Sequence, residues 1–167
     1  MLRPVEIGDT AAVVEVMSPT VTKWLASWPN PMTETFARER IVASMAATAR
    51  GGHLWWAVIH KADQRLIGGF GCGLTKADRR RMEVSYHLAA AYHGAGYMGE
   101  AAQAAIASIW RLFDVDAIEA GAQIENEASF GLMRALGMTP IGTRDIYSSA
   151  RDRFEPCRFY ELLRPTA

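Results

Sequence analysis

Between residues 53 and 113 the chain commits to three consecutive strand patterns, a loop carrying two glycines, and a long helix. Residues 54–59, Leu-Trp-Trp-Ala-Val-Ile, form an unbroken apolar run of buried-strand length, and Lys61-Ala62-Asp63-Gln64 supplies a polar hairpin turn. Residues 66–74 give a second strand rich in glycine. Residues 81–88 give a third, with Met82, Val84, Tyr86 and Leu88 at alternate positions. Together these predict an antiparallel meander. In the first of its strands the adjacent Trp55 and Trp56 must face opposite sides of the sheet. The loop Tyr92-His93-Gly94-Ala95-Gly96 then feeds a helix over 97–113.

The flanking segments complete the pattern. A short strand at 2–6 precedes a helix at 10–17, whose start carries Asp9. Trp28-Pro29-Asn30-Pro31 interrupts the chain. Thr33 N-caps a helix over 34–49, closed by Gly51-Gly52. A strand at 117–124, a helix at 126–136 ended by Gly137, and strands at 141–147 and 154–163 follow. The order β, α, α, β, β, β, α, β, α, β, β predicts one α+β domain over residues 1–167, a mixed and mostly antiparallel sheet flanked by helices.

Composition excludes several classes. Eighteen basic residues balance eighteen acidic ones, which argues against electrostatic capture of nucleic acid or an anionic membrane. The apolar run at 54–59 is too short to span a bilayer. The opening residues, Met1-Leu2-Arg3-Pro4-Val5-Glu6, lack the apolar core of a signal peptide. Cys72 and Cys157 provide neither a disulfide framework nor a close ligand pair, so a cytoplasmic setting is expected. His53, His60, His87 and His93 have no metal-ligand spacing, and no metal site is expected. Gly68-Gly69-Phe70-Gly71-Cys72-Gly73 superficially suggests a dinucleotide fingerprint, but no helix follows it. It marks a bulge or a close backbone approach instead.

Three places are candidates for chemistry. Helix N-termini present unpaired N–H groups and the positive end of the dipole, and Gly94 and Gly96 would let a phosphate reach the backbone. The same glycines could instead serve only the turn's backbone angles. Glu83 lies in an apolar alternating strand, where desolvation would raise its pKa toward that of a general base. Alternation equally allows it to face outward, since Met82 and Val84 point the other way. Asn126 suits an N-cap, and Ser129 in the following turn is either solvated or functional.

The segment Glu83-Val84-Ser85-Tyr86-His87-Leu88, continued by Tyr92-His93-Gly94-Ala95-Gly96-Tyr97-Met98-Gly99-Glu100-Ala101, resembles the cofactor motif of GNAT acetyltransferases, in particular their RimJ/RimL-type branch. Asn126-Glu127-Ala128-Ser129 and the Leu132 to Gly137-Met138 stretch resemble that branch's second motif, and Trp28-Pro29-Asn30-Pro31-Met32-Thr33 its proline-containing link. The resemblance implies a GNAT-like fold and direct transfer of acetyl from acetyl-CoA to a primary amine. It implies that the backbone of Tyr86, His87 and Leu88 runs beside the pantetheine arm. The amides of His93, Gly94, Ala95, Gly96, Tyr97 and Met98 would hold the pyrophosphate. Asn126 would contact the arm, Ser129 would serve the departing sulfur, and Glu83 would be the base. His93 stands where arginine or glutamine is usual. Met98 replaces a glycine or alanine and could crowd the phosphate slightly.

The acceptor, a protein N-terminus or a small-molecule amine, would enter near Trp24, Trp28, Tyr147, Ser148 and Ser149. Arg151, Asp152 and Arg153 belong to the same stretch, and the two arginines hint at an acceptor bearing carboxylate. That stretch reads equally as a solvated hairpin loop. A non-catalytic CoA-binding module and an enzyme using a longer acyl-CoA are the alternatives, and assembly into a homodimer is left open.

Overall fold

The structure, a computed structural model, describes residues 1–165. Seven strands form one sheet: β1 (Leu2–Pro4), β2 (His53–Ile59), β3 (Leu66–Leu74), β4 (Arg81–Leu88), β5 (Ala117–Gln123), β6 (Thr139–Ser148) and β7 (Arg153–Leu163). Their spatial order is β1-β2-β3-β4-β5-β7-β6, and every pairing is antiparallel except β4 with β5. The expected meander is therefore present.

Two helical layers cover the sheet. On one face α4 (Tyr97–Leu112) and α5 (Glu127–Ala135) bury Phe70, Met82, Ile109, Ile118, Phe130 and Met133. On the other, α1 (Thr10–Val16), α2 (Pro19–Thr22) and α3 (Glu34–Ala49) bring Val13, Val21, Trp28, Ala37 and Ile41 together. Trp56 packs in the first cluster and Trp55 against the second, as strand alternation requires. Among the described residues no helix is long and apolar enough to cross a membrane.

Local signals account for the helix ends. The Thr33 hydroxyl accepts from the Phe36 amide at 3.2 Å, which places the start of α3 where the sequence puts it. The Asn126 side chain does the same for Ser129 at the start of α5, at 3.2 Å. Asp9 does not cap α1 in this way. Its carboxylate is held by the Arg3 guanidinium at 2.8 and 2.6 Å and by the Glu6 amide at 2.8 Å, so it ties β1 to the helix. The short α2 is an addition to the expected order; Pro19 at its first position pre-sets the helical φ.

The glycine-rich β3 does both things expected of it. Pairing slips between Val58↔Gly68 and Ile59↔Leu66, leaving Ile67 as the extra residue of a bulge. Beyond it, Gly69, Gly71 and Gly73 lie on the face away from Phe70, Cys72 and Leu74. They sit laterally between Ala57, Trp55 and His53 on β2 and His87, Ser85 and Glu83 on β4. A Cβ on Gly69 would stand 2.6 Å from Trp55 Nε1 and 2.7 Å from His87 Cε1, because those rings lie over the bare backbone. At Gly71 it would meet only the rotatable Ser85 hydroxyl, at 3.3 Å. Gly69→Ala is expected to cost about 1–3 kcal/mol of stability, and Gly71→Ala well under half of that. Urea unfolding of the two variants checks this; equal losses would show that the rings do not confine position 69.

Candidate active site

β4 and β5 pair in parallel from Arg81↔Ala117 to Val84↔Ala120 and then part. β4 stays on β3 as far as Gly68↔Leu88, while β5 follows β7 to Gln123↔Cys157. Residues 85–88 and 121–123 consequently each have a backbone edge with no neighbouring strand. Such edges are made to take a partner in extended conformation. A cleft of about 360 Å³ starts at this parting and reaches the N-terminus of α4.

The α4 end of the cleft is a set of donors. Gly94 and Gly96 adopt φ of 75° and 81°, a region that side chains rarely tolerate, and a Cβ on either would meet nothing within 4 Å. The turn therefore needs these glycines for its backbone angles, and their backbone also stands open. No side chain caps α4, and its first hydrogen bond runs from the Glu100 amide to the Gly96 carbonyl at 3.1 Å. The amides of Tyr97, Met98 and Gly99 have no acceptor within the helix, and the dipole adds positive potential there.

Side chains hold this loop from behind. His93 Nε2 donates to the Leu88 carbonyl at 2.8 Å, fastening the loop to the end of β4. The Tyr97 hydroxyl lies 3.2 Å from His60 Nε2, away from the loop amides. Met98 packs against the α4-side core, so its length is absorbed there rather than crowding the open amides. His93, Gly94, Gly96, Tyr97 and Met98 all line the cleft. Ala95 is exposed and does not line it.

Where the strands part, the Tyr86 ring stacks on Phe70, with centroids 5.9 Å apart. Its hydroxyl meets Ser129 Oγ at 2.7 Å. Burial pushes the phenol up to about 12, although the Ser129 hydrogen bond pulls the other way. The structure thus brings Tyr86, Asn126 and Ser129 to one wall, with Leu88 further along it. Sequence reasoning used only the backbone of Tyr86. The pairing of its hydroxyl with Ser129, 43 residues away, left no trace in local pattern.

Glu83, Ser85 and His87 share the opposite face of β4. Glu83 lies at the floor of a concavity and not in the apolar core, so alternation was the better guide to its direction. Surrounding protein still raises its pKa through burial, partly offset by the Arg144 charge and reinforced by Glu119. The His87 ring is buried beside Trp28 and Trp55, at centroid distances of 5.9 and 6.5 Å, and its Nε2 has no hydrogen-bond partner among the described residues. Burial lowers its pKa to about 4.

A second cleft, of about 470 Å³, opens on this face and meets the first at Val84, Ser85, His87, Gly121 and Ala122. Trp24 and Trp28 line it, and Trp24 lines the first cleft as well. The hairpin residues do not. Ser148 is fully buried with its hydroxyl on the Ala26 carbonyl at 3.0 Å, and Tyr147 is exposed and bonded to Asp152. Arg151 and Arg153 are bound to Glu155 at 2.6 and 2.9 Å, which overturns the hint that they receive an acceptor carboxylate. The Arg151 contact above all holds Glu155 down to about 2.

Comparison with known proteins agrees with this geometry. A family model described as an acetyltransferase (GNAT) domain matches residues 1–139. The chain belongs to the GNAT acetyltransferase family. It is similar to the uncharacterized N-acetyltransferase p20 of Bacillus licheniformis, 27% identical over 165 residues that cover 98% of this chain and 92% of that protein. The Salmonella typhimurium acetyl transferase that modifies the N-terminal serine of ribosomal protein L7/L12 shares its fold, with TM-score 0.84, 15% identity, and 98% and 94% of the two chains covered. So does yncA of the same organism, a putative acetyltransferase solved with its cofactor acetyl-CoA, at TM-score 0.77, 20% identity, and 98% and 92% covered.

The depressed His87 pKa has a consequence for stability. A histidine kept neutral by the fold contributes stability that is fully present above its unfolded pKa near 6.5 and is lost as pH falls toward 4. Wild type is expected to lose on the order of 2 kcal/mol more between pH 7 and pH 4 than His87→Leu does. Urea titrations of both proteins across that range measure the difference; parallel pH profiles would rule it out.

Proposed function

We propose that the chain transfers the acetyl group of acetyl-CoA directly to a primary amine, in the manner of the RimJ/RimL-type branch and in a cytoplasmic setting. The observation that carries this is the parting of β4 and β5, whose unpaired edges run to the uncapped N-terminus of α4. The residues present fit the donor substrate: open glycines and free amides suit a pyrophosphate, and bare strand edges suit an arm that carries amides. When bound, acetyl-CoA supplies a thioester whose carbonyl carbon is open to attack by a neutral amine.

The backbone of Tyr86, His87 and Leu88 lines the arm, the amides of residues 94–98 hold the pyrophosphate, and Asn126 keeps the start of α5 against the arm; the His93 amide is spent on the Ala90 carbonyl at 3.2 Å and takes no part. Glu83, directly or through a water, takes the proton that the attacking amine loses. Its raised pKa brings it nearer to the working pH of a base. A backbone N–H of β4 near Tyr86 stabilises the charge that develops on the acyl oxygen. The Ser129 hydroxyl, held by the still-protonated Tyr86 phenol, hydrogen-bonds the sulfur as it departs. No covalent enzyme intermediate is involved.

Titration calorimetry with acetyl-CoA, with NADH as control, is expected to give micromolar binding of the first alone. Glu83→Gln is expected to lower kcat with an amine acceptor by about 10²–10⁴ while leaving acetyl-CoA affinity within twofold. Free-thiol release measures the rate. An undiminished rate would remove Glu83 from the reaction, and absent binding would remove the donor assignment.

A further inference from the structure

The acceptor amine must come to the parting of β4 and β5 from the side the donor does not fill, which is the 470 Å³ cleft between α3, β2, β4 and β7. Its charged groups sort into two kinds. Glu155 is neutralised by Arg151 and Arg153, and Gln123 donates to it as well, at 2.5 Å. His53 is bonded to Ser44 Oγ at 3.0 Å, and burial together with the nearby Arg40 charge lowers its pKa. Two groups remain uncommitted. Among the described residues neither Glu83 on β4 nor Arg40 on α3 has an ion pair.

Arg40 is positioned rather than loose. Its guanidinium lies 5.0 Å over the Trp28 ring, and one nitrogen donates to Ser27 Oγ at 3.2 Å. Its remaining donors are free for a bidentate contact, the geometry in which a guanidinium binds a carboxylate best. Arg40 is exposed to solvent at the rim of the cleft, and the neighbouring protein lowers its pKa, so an anion entering the cleft would meet an accessible and unpaired cation. Glu83 lines the same cleft from β4, on the strand face it shares with Ser85 and His87, which open onto both clefts. Trp24, Trp28 and Trp55 give that cleft indole walls.

We infer that the acceptor is a zwitterion: an amine that carries its own carboxylate, with the nitrogen at the Glu83 end and the carboxylate on Arg40. The inference deepens the acetyl-transfer reading above and rests on it. The amine lone pair forms the N–C bond, the C–S bond breaks with its electron pair going to sulfur, and the amine proton leaves by way of Glu83. The products are an N-acetylated acid and CoA. A polyamine brings a second positive charge toward Arg40, and a lysine side chain brings no carboxylate to it, so both are disfavoured. The indole walls favour an apolar side chain. A free α-amino acid and a peptide N-terminus with an acidic second residue present the same chemistry.

The test uses the full chain with saturating acetyl-CoA and follows thiol release from L-leucine, L-leucinamide, spermidine, and two peptides that differ only in Asp or Asn at the second position. The expected result is at least tenfold higher kcat/KM for leucine than for leucinamide, or for the Asp peptide than for the Asn peptide, the pair identifying the source. In Arg40→Gln that ratio is expected to fall to near one through KM, with Arg40→Lys intermediate. Quenching of tryptophan fluorescence by N-acetyl-leucine, against N-acetyl-leucinamide, in the presence of CoA reads the same preference without turnover. Equal use of acid and amide, better use of spermidine, or a quench indifferent to the carboxylate would overturn the zwitterion. Failure of acetyl-CoA itself to bind would instead overturn the underlying transfer reading.

Discussion

The parallel pairing of β4 and β5 stops at Val84 and Ala120, and the functional geometry depends on that stop. Up to it, the sheet is an ordinary continuous surface with Met82 and Ile118 in its core. Beyond it, β4 is committed to β3 and β5 to β7, so two strand edges face each other without a partner. Leaving backbone donors and acceptors unpaired costs roughly 1–3 kcal/mol each where water is excluded. Here the edges line an open cleft, where water or an extended partner can meet them. The amides at the start of α4 stand at one end of this gap, and α5 delivers Ser129 to its side, within hydrogen-bond reach of Tyr86. The whole is an acetyltransferase scaffold of the GNAT family.

The opposite face of the sheet is shaped by omission. Gly69, Gly71 and Gly73 remove three successive side chains from one face of β3, while Phe70, Cys72 and Leu74 fill the other. The bare stripe lets Trp55 and His87 lie low against the backbone, and Trp28 from the α2–α3 link packs on both. What results is a concavity walled by rings and floored by main chain. Two carboxylates in and beside it are cancelled locally. Glu155 in its wall is held by two arginines, and Glu119 outside it by Arg81 and Arg144. Neutralising these carboxylates is what gives the two uncommitted groups, Glu83 and Arg40, their individual meaning.

Much of this architecture was legible beforehand because it rests on short-range rules. The α3 boundaries follow from Thr33 and the Gly51-Gly52 pair, those of β3 and β4 from their apolar pattern, and the start of α5 from Asn126. Alternation told correctly which way Met82 and Val84 point, and hence that Glu83 faces away from the core. The misjudged elements share a cause. Asp9 reads as an acidic start to α1 and does stand at its N-cap position, yet its carboxylate is taken by Arg3 from another element. Arg151 and Arg153 look free, yet the strand that follows them returns Glu155 to both. Met98 looks obstructive, yet the core has room for it.

By itself, then, the sequence determined the order of the elements apart from the short α2, the Thr33 and Asn126 caps, the bulged glycine strand and the glycine turn before α4. Each of these is decided by backbone preference and periodicity within a few residues. Only the tertiary structure decided where β4 and β5 separate, that Tyr86 meets Ser129, and that His87 is sealed against two tryptophans. It also decided that Arg40, which lines the cleft, is left without a carboxylate. Those outcomes are balances of burial and charge among groups tens of residues apart, and such balances exist only once the chain has closed on itself.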